Sequence, residues 1–534
     1  MIEAAQPQSE QPTPYTPAGP ADPLIFEAFE GINTATLRPG VDDKQAYWLD
    51  GWMPLGPGRN LRTMYGISAA LYAAPAPLAV AFFDFGNIGS TPYMILVQSD
   101  GSIMAVNTNT SVASAIAAAG TIQNPSRVNV GFTQYGSQYF IIVSKQVNGY
   151  FIWDGTTFYA PGASFGGGTI PTAISGTAIE VYAGRVWIAN GATITFSVPG
   201  SLIDFSSGDG GGNFTSSDSF LRVAFIQLKQ TNGFLYLIGD SSINYISGVQ
   251  TSGSPPVTTF TNQNADPEVG TPWPSTVDVF KRNILFANAF GAHGSYGGAV
   301  TKISEMLDGV YNTVPNFGNI VPSAAKAIIF GKKCWILLLP VIDLVTNQQV
   351  NKLFLWNGKQ WWSTPQDVTL VYIQFQEINS VLTAWGTDGT SVYQLFAQPS
   401  VNFTKTFQTK LWDKPGGYQF TKFVTRLWGI VRYYSNLSPT LNISLDNENS
   451  SNVNPASVTT IAAEWVNNLG NVVQWVNNSS QVVTWLSNGG VYSVFEPDAV
   501  AQQGVLTGFT GTTNAADMAV VSIMIQDSVG GYRG

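Results

Sequence analysis

Cysteine and histidine each occur once in this 534-residue chain, as Cys334 and His293. A disulfide framework and a thiolate or imidazole zinc site are therefore excluded within one copy. Any Ser-His-Asp or Cys-His mechanism would have to use His293, which lies in "AFGAHGSYGG" and reads as part of a glycine-rich turn, so no catalytic residue is expected. Charge is also scarce. Charged residues make up 11% of the chain, where an ordinary soluble domain carries roughly 25%. The net charge of −9 argues against a basic nucleic-acid clamp. The N-terminus lacks a basic region followed by an apolar run, so no signal peptide is expected. The longest apolar stretch, Ile67–Phe83, is broken by Pro75 and Pro77, and no membrane span is expected there.

What the chain has in quantity is glycine (54) and aromatics (31 Phe, 21 Tyr, 15 Trp), which favour strands and tight turns over helices. The first 24 residues hold six prolines and read as an extended arm. Beyond them a unit recurs. "AIEVYAGRVWIANGATITFS" (178–197) reads as strand, Gly turn, strand, Asn-Gly turn, strand, and 225–247 repeats it. Residues 127–161 and 323–365 repeat it with a fourth strand, 368–397 is shorter, and 78–106 and 276–303 are looser copies. Asn-Gly and Asp-Gly between apolar runs are strong hairpin signals, because both turn residues need positive φ. Taking Asp100, Asn148, Asn190, Asp240, His293, Asn357 and Asp388 as second-turn markers gives spacings of 48, 42, 50, 53, 64 and 31 residues, averaging 48. Units of that length with three or four strands predict a β-propeller of six or seven blades over residues 66–398.

After Ala397 the pattern changes to long alternating strands, as in "FTKFVTRLWGIVRYY" (420–434). Residues 399–534 predict an antiparallel β-sandwich-like domain, with 451–494 as an inserted meander. In the meander, Trp465, Trp475 and Trp485 stand ten residues apart, and Glu464 is the one side chain charged at neutral pH between Ser451 and Val494. A turn at 477–481 pairs Trp475 with Val483 and Trp485 with Val473, which puts all three Trp on one face of a three-stranded sheet. Such a face has to be covered. The candidates are the chain's own sandwich, a subunit or partner interface, or a sugar.

Other motifs are weaker. "SSGDGGGN" (206–213) and "LDNENSSN" (445–452) lack calcium-loop spacing, and "GSYGGAV" (294–300) is not a phosphate loop. The Asp-Gly turns at Asp100 and Asp388 lack the Trp of a sialidase repeat, and no spacing marks a glycosidase carboxylate pair. No cofactor is expected. Trp356, Trp361 and Trp362 in "FLWNGKQWWSTP" are the residues a glycan-binding protein would stack on sugars, although the Asn357-Gly358 turn makes them blade aromatics.

Residues 25–65 form a lead-in. "GINTATLRPGVDDKQAYWLDGWMPLGPGRNLRTMYG" (31–66) resembles the N-terminal segment of tail nozzle and DNA-stabilisation proteins of short-tailed bacteriophages. The matching positions are Gly31-Ile32-Asn33, Pro39, Ala46, Leu49, Pro57-Gly58, Arg62 and Gly66; Asp50 stands where that family usually has asparagine. "FTKFVTRLWGIVRYY" and "AVVSIMIQDS" resemble the family's last domain. The resemblance implies a virion tail protein, made in the host cytoplasm and usually hexameric. It would sit below the portal and adaptor rings and carry fibres or spikes. Its shared lumen would retain double-stranded DNA and then release it. Its competitors are a receptor- or glycan-binding spike or fibre and, further off, a propeller glycosidase.

Overall fold

The structure is a computed structural model that describes residues 22–26, 30–55, 60–215, 224–295, 297–314, 322–413, 417, 420–434, 440–447, 450–459, 491–495, 502–504 and 506–532. The 1–21 part of the proline-rich arm and Trp465, Trp475 and Trp485 lie outside the described residues.

Six four-stranded antiparallel sheets, and a seventh four-stranded unit that begins a larger sheet, follow one another along the chain. The first strands of blades 1 to 7 are Val80–Ile88, Val130–Tyr135, Ala178–Tyr182, Phe225–Thr231, Asp278–Phe280, Ser323–Ile329 and Tyr372–Ile378. Each packs against the first strand of the next blade, and that of blade 7 packs against that of blade 1. The ring is therefore closed, and the fold is a seven-bladed β-propeller with the first strands innermost. Blade 7 takes its outermost strand from the other end of the ring: Ala70–Ala73 pairs with Ser391–Gln394, Tyr72 opposite Val392. That strand precedes blade 1, so the ring is sealed by hydrogen bonds between its two chain ends.

The turn signals account for the local structure. Gly101, Gly191, Gly233, Gly358 and Gly389 all adopt positive φ, between +61° and +103°, at hairpin turns. Two markers fall elsewhere. His293 is not in a turn: it sits in the strand Gly291–Ser295, opposite Phe286 on one side and Lys302 on the other. The turn is Ala289–Phe290, where a Phe that is largely exposed replaces the usual Asn-Gly pair. Asn357 marks the third hairpin of blade 6, whose second turn is the longer Asp343–Gln348 loop. These two displaced markers produce the uneven spacings of 64 and 31.

Blade 6 does not stop at its fourth strand. Trp361–Thr364 continues through Trp48–Asp50, Lys405–Gln408, Gly508–Thr513, Thr440–Asn447 and Ser450–Thr459 into a nine-stranded sheet. A second sheet faces its outer part, built on the long pair Phe420–Tyr433 and Met518–Tyr532, with Leu24–Phe26, Trp52–Pro54 and Leu61–Thr63 beside them. Between the two sheets Phe26, Trp52, Phe407 and Phe509 are buried with ring centroids 5.5–6.1 Å apart. The sandwich is thus an outward continuation of one blade, and its core is contiguous with that blade's core.

Candidate functional site

Among the described residues, two places gather polar and charged side chains in this charge-poor chain. The first is the propeller axis. The innermost strand or its approach contributes a charge in blades 1 to 6, and the sign alternates: Asp84, Arg127, Glu180, Lys229, Asp278, Lys326. Seven blades cannot alternate all the way round, and blade 7 supplies the neutral Gln374 at the break. Arg127 pairs with Asp84 at 3.5 Å and Lys326 with Asp278 at 3.0 Å, each across adjacent blades. Burial raises the Glu180 carboxyl above the usual range, the charge of Lys229 working against it, and Thr133 Oγ1 donates to its Oε1 at 3.4 Å. Lys326 Nζ also lies 3.8 Å from the Phe375 ring centroid. A small polar cavity remains, lined by Arg127, Gln227, Lys229, Ser275, Asp278 and Gln374.

Within this tier three acids stand against three bases, and Glu377, further along the blade 7 strand, is exposed. Two of the three acids are held by a base on the next blade, Asp84 by Arg127 and Asp278 by Lys326, and these pairs brace the ring where the blades converge. Such an axis has no surplus cation for a phosphate chain. It works as a plug.

The second place is the lead-in. Gly31 has φ +97°, and a Cβ there would meet the Trp361 carbonyl oxygen at 2.8 Å, so only glycine allows this approach to blade 6. Ile32 N–H donates to that same carbonyl, and Asn33 is fixed by Gln45 and Ala46. Ala46, Leu49, Trp48 and Trp52 are buried. Gly66 approaches Asp367, whose Oδ2 accepts the Ile67 N–H at 2.7 Å. Arg62 makes a two-point ion pair with Asp517 and lies between the rings of Phe330 in blade 6 and Tyr434 in the sandwich, 4.1 and 4.2 Å from their centroids.

Beneath the lead-in lies a buried cluster. Lys352 Nζ touches Asp343 Oδ2 and lies 2.6 Å from Asp50 Oδ2. Burial raises the Asp50 carboxyl above its ordinary range despite Lys352. For Asp343 burial is outweighed by Lys352 and by the Thr346 and Val345 amides, and its carboxyl is held low. Burial disfavours the Lys352 ammonium, but the two acids together hold its titration above the ordinary value.

His293 is buried, stacks on Phe286 at 5.4 Å, and has Nε2 3.1 Å from Asn288 Oδ1. Burial, with Lys302 adding repulsion, pulls its titration down to about 4. Cys334 is a buried strand residue whose thiol burial pushes up to about 12. Trp361 and Trp362 are buried, with Trp361 Nε1 donating to the Ile303 carbonyl, and Trp356 stacks on Trp361. No group of three His, Cys, Asp or Glu among the described residues could hold a metal ion. No helix among them is long and apolar enough to cross a membrane.

No protein-family model matches the chain, and no curated protein does. Solved structures give remote likenesses. The BBS1 N-terminal domain solved in complex with ARL6 is 9% identical over 65% of this chain and 97% of its own, with a TM-score of 0.36. Raptor of Chaetomium thermophilum is 10% identical over 62% of this chain and 29% of its own, TM-score 0.38. BamB from Moraxella catarrhalis is 12% identical over 64% and 95%, TM-score 0.33.

Proposed function

We propose that this chain is a structural subunit of a short-tailed bacteriophage tail. In this reading six copies form the nozzle below the portal and adaptor rings, and the lumen they share retains packaged DNA and then lets it pass. The observation that carries the reading is the lead-in segment. Among the residues through which it resembles the nozzle family, Gly31 and Gly66 close onto the propeller, Ala46 and Leu49 are buried, and Arg62 joins blade 6 to the sandwich through Phe330 and Asp517; Pro57-Gly58 lies outside the described residues. A conduit wall under load needs its two domains to move as one body, and these contacts supply that.

The rest of the chain fits a passive role. The propeller axis is lined by balanced charges, two acids of which are held in ion pairs, and in this reading the DNA path belongs to the lumen between copies and not to one propeller. A wall with little positive charge lets phosphate slide, since each neutralised phosphate would add salt-sensitive affinity. The outer strands of blades 1 and 4, Val112–Ala117 and Val257–Asp266, carry no charge before Asp266, which suits packing against neighbouring copies or attached fibres. The role is mechanical, with no enzymatic step.

Particles assembled without this chain test the reading. They are expected to package DNA and then lose it, with retention restored when purified protein is added. Particles that keep their DNA but fail to adsorb to cells would instead favour a receptor-binding tail protein.

A further inference from the structure

Lys352, Asp50 and Asp343 form a buried triad whose side chains are 5%, 11% and 6% exposed in their ion pairs. The Trp48 ring centroid lies 5.2 Å from the Lys352 nitrogen, and Trp48 itself is fully buried. A lysine between two carboxylates in a dry, aromatic-walled site is an expensive way to hold two strands together. It is also the set of groups that amide formation requires: an amine, an acid to condense with it, and a second carboxylate as base. We propose that Lys352 Nζ condenses with the Asp50 carboxyl to form an intramolecular amide, with Asp343 as the base.

The hydrogen bonds assign the roles. Ser363 Oγ lies 2.9 Å from both Asp50 Oδ1 and the Leu49 carbonyl oxygen. A hydroxyl has one proton, so it can donate to only one of the two acceptors. Both contacts are satisfied when Asp50 is a neutral acid: its Oδ1–H donates to Ser363, and Ser363 donates to Leu49. Asp343 is arranged the other way. Its Oδ1 accepts the Val345 and Thr346 N–H groups, each at 2.9 Å, and the Thr346 hydroxyl at 3.2 Å. Three donors on one oxygen keep it a carboxylate and leave Oδ2 facing the lysine.

The reaction balances within the triad. Asp343 Oδ2 takes one proton from the Lys352 ammonium, and the freed lone pair attacks Asp50 Cγ. A second proton of the nitrogen passes to the departing Asp50 hydroxyl, which leaves as water. One C–N bond forms, one C–O bond breaks, and Asp343 ends as a neutral acid. The three groups then carry no charge, and the desolvation that opposed the ion pairs is relieved. The link would join the lead-in strand Trp48–Asp50 to blade 6, whose sheet that strand extends into the sandwich. It does not rest on the phage reading, since any protein with this triad could form it.

Mass spectrometry of the purified, denatured full chain tests the proposal. Wild type is expected to be lighter than its sequence by one water. Trypsin should leave residues 45–59 joined to 334–359, with no cleavage after Lys352. Lys352→Arg and Asp50→Ala are expected at full mass. Asp343→Asn should also be at full mass, with its β-sheet circular dichroism retained. Folded wild type at full mass after prolonged incubation, or a lost water that maps elsewhere, overturns the proposal even if every variant unfolds. An Asp343→Asn chain that still loses water overturns the role of Asp343.

Discussion

Arg62 and Asp517, 455 residues apart in the chain, meet through two parallel bonds, Nε to Oδ1 at 3.1 Å and Nη2 to Oδ2 at 3.0 Å. Asp517 is largely buried and also accepts the Tyr65 hydroxyl at 2.7 Å. The pair ties the lead-in to the sandwich, and the Phe330 ring extends the tie to blade 6. Removing the arginine leaves a buried carboxylate without its cation. Arg62→Ala is expected to destabilise the chain by about 3 kcal/mol, read by denaturant unfolding. Arg62→Lys should recover little of this, because an ammonium reproduces neither the fork nor the stacking.

His293 and Asp527 give opposite pH dependences over nearly the same interval. His293 is pulled down from 6.5 to about 4, so between those values the unfolded chain binds the extra proton, and stability falls as pH drops. Asp527 accepts the Thr507 hydroxyl at 2.8 Å in the sandwich core, and burial raises it from 3.8 to about 6. There the folded chain binds the extra proton, so its contribution is present at low pH and is lost as pH rises through about 6. Each effect is on the order of 3 kcal/mol. Wild type should therefore show little net slope from these two groups. His293→Gln should gain stability from pH 6.5 to 4, and Asp527→Asn should lose it, as measured by thermal or denaturant unfolding across that range.

Lys405 predicts a further slope on the alkaline side. It is fully buried, donates to the Ser400 carbonyl at 2.8 Å, and burial lowers its titration from 10.5 to about 8. Between those values the unfolded chain holds the extra proton, so stability is expected to rise with pH from about 8 to 10.5. Lys405→Met should abolish that rise, whatever it does to stability at neutral pH.

The 465–485 meander lies outside the described residues, and its tryptophans remain candidates for an interface. Each indole truncated in a dry interface can cost about 2 kcal/mol or more. Bridging 464–490 with a short turn is expected to leave monomer unfolding unchanged and to weaken assembly. A destabilised monomer that assembles normally would make the three Trp sandwich core.

The blades were legible because each is local: a hairpin turn with Asn or Asp before Gly needs only neighbouring residues to be recognised. Reading failed where that chemistry was absent, as at Ala289–Phe290, or where a blade contains an extra turn, as in blade 6. The axis was missed for a different reason. Asp84, Arg127, Glu180, Lys229, Asp278 and Lys326 each belong to a different repeat, and their alternation emerges only when the first strands of the repeats and their approaches are laid side by side. That signal was available. The pairing of Trp48–Asp50 with Trp361–Thr364 and Lys405–Gln408 had no local sign, since strand partners more than 300 residues apart share no turn. The Asp50–Lys352–Asp343 cluster was hidden with it.

The central claim is that copies of this chain build a six-fold conduit, and the symmetry of the assembled protein tests it most directly. Class-averaged electron micrographs of the purified full chain, viewed down the ring axis, are expected to show six-fold rings around an open lumen. Three-fold particles, or compact particles without a lumen at concentrations where the protein is associated, would contradict it.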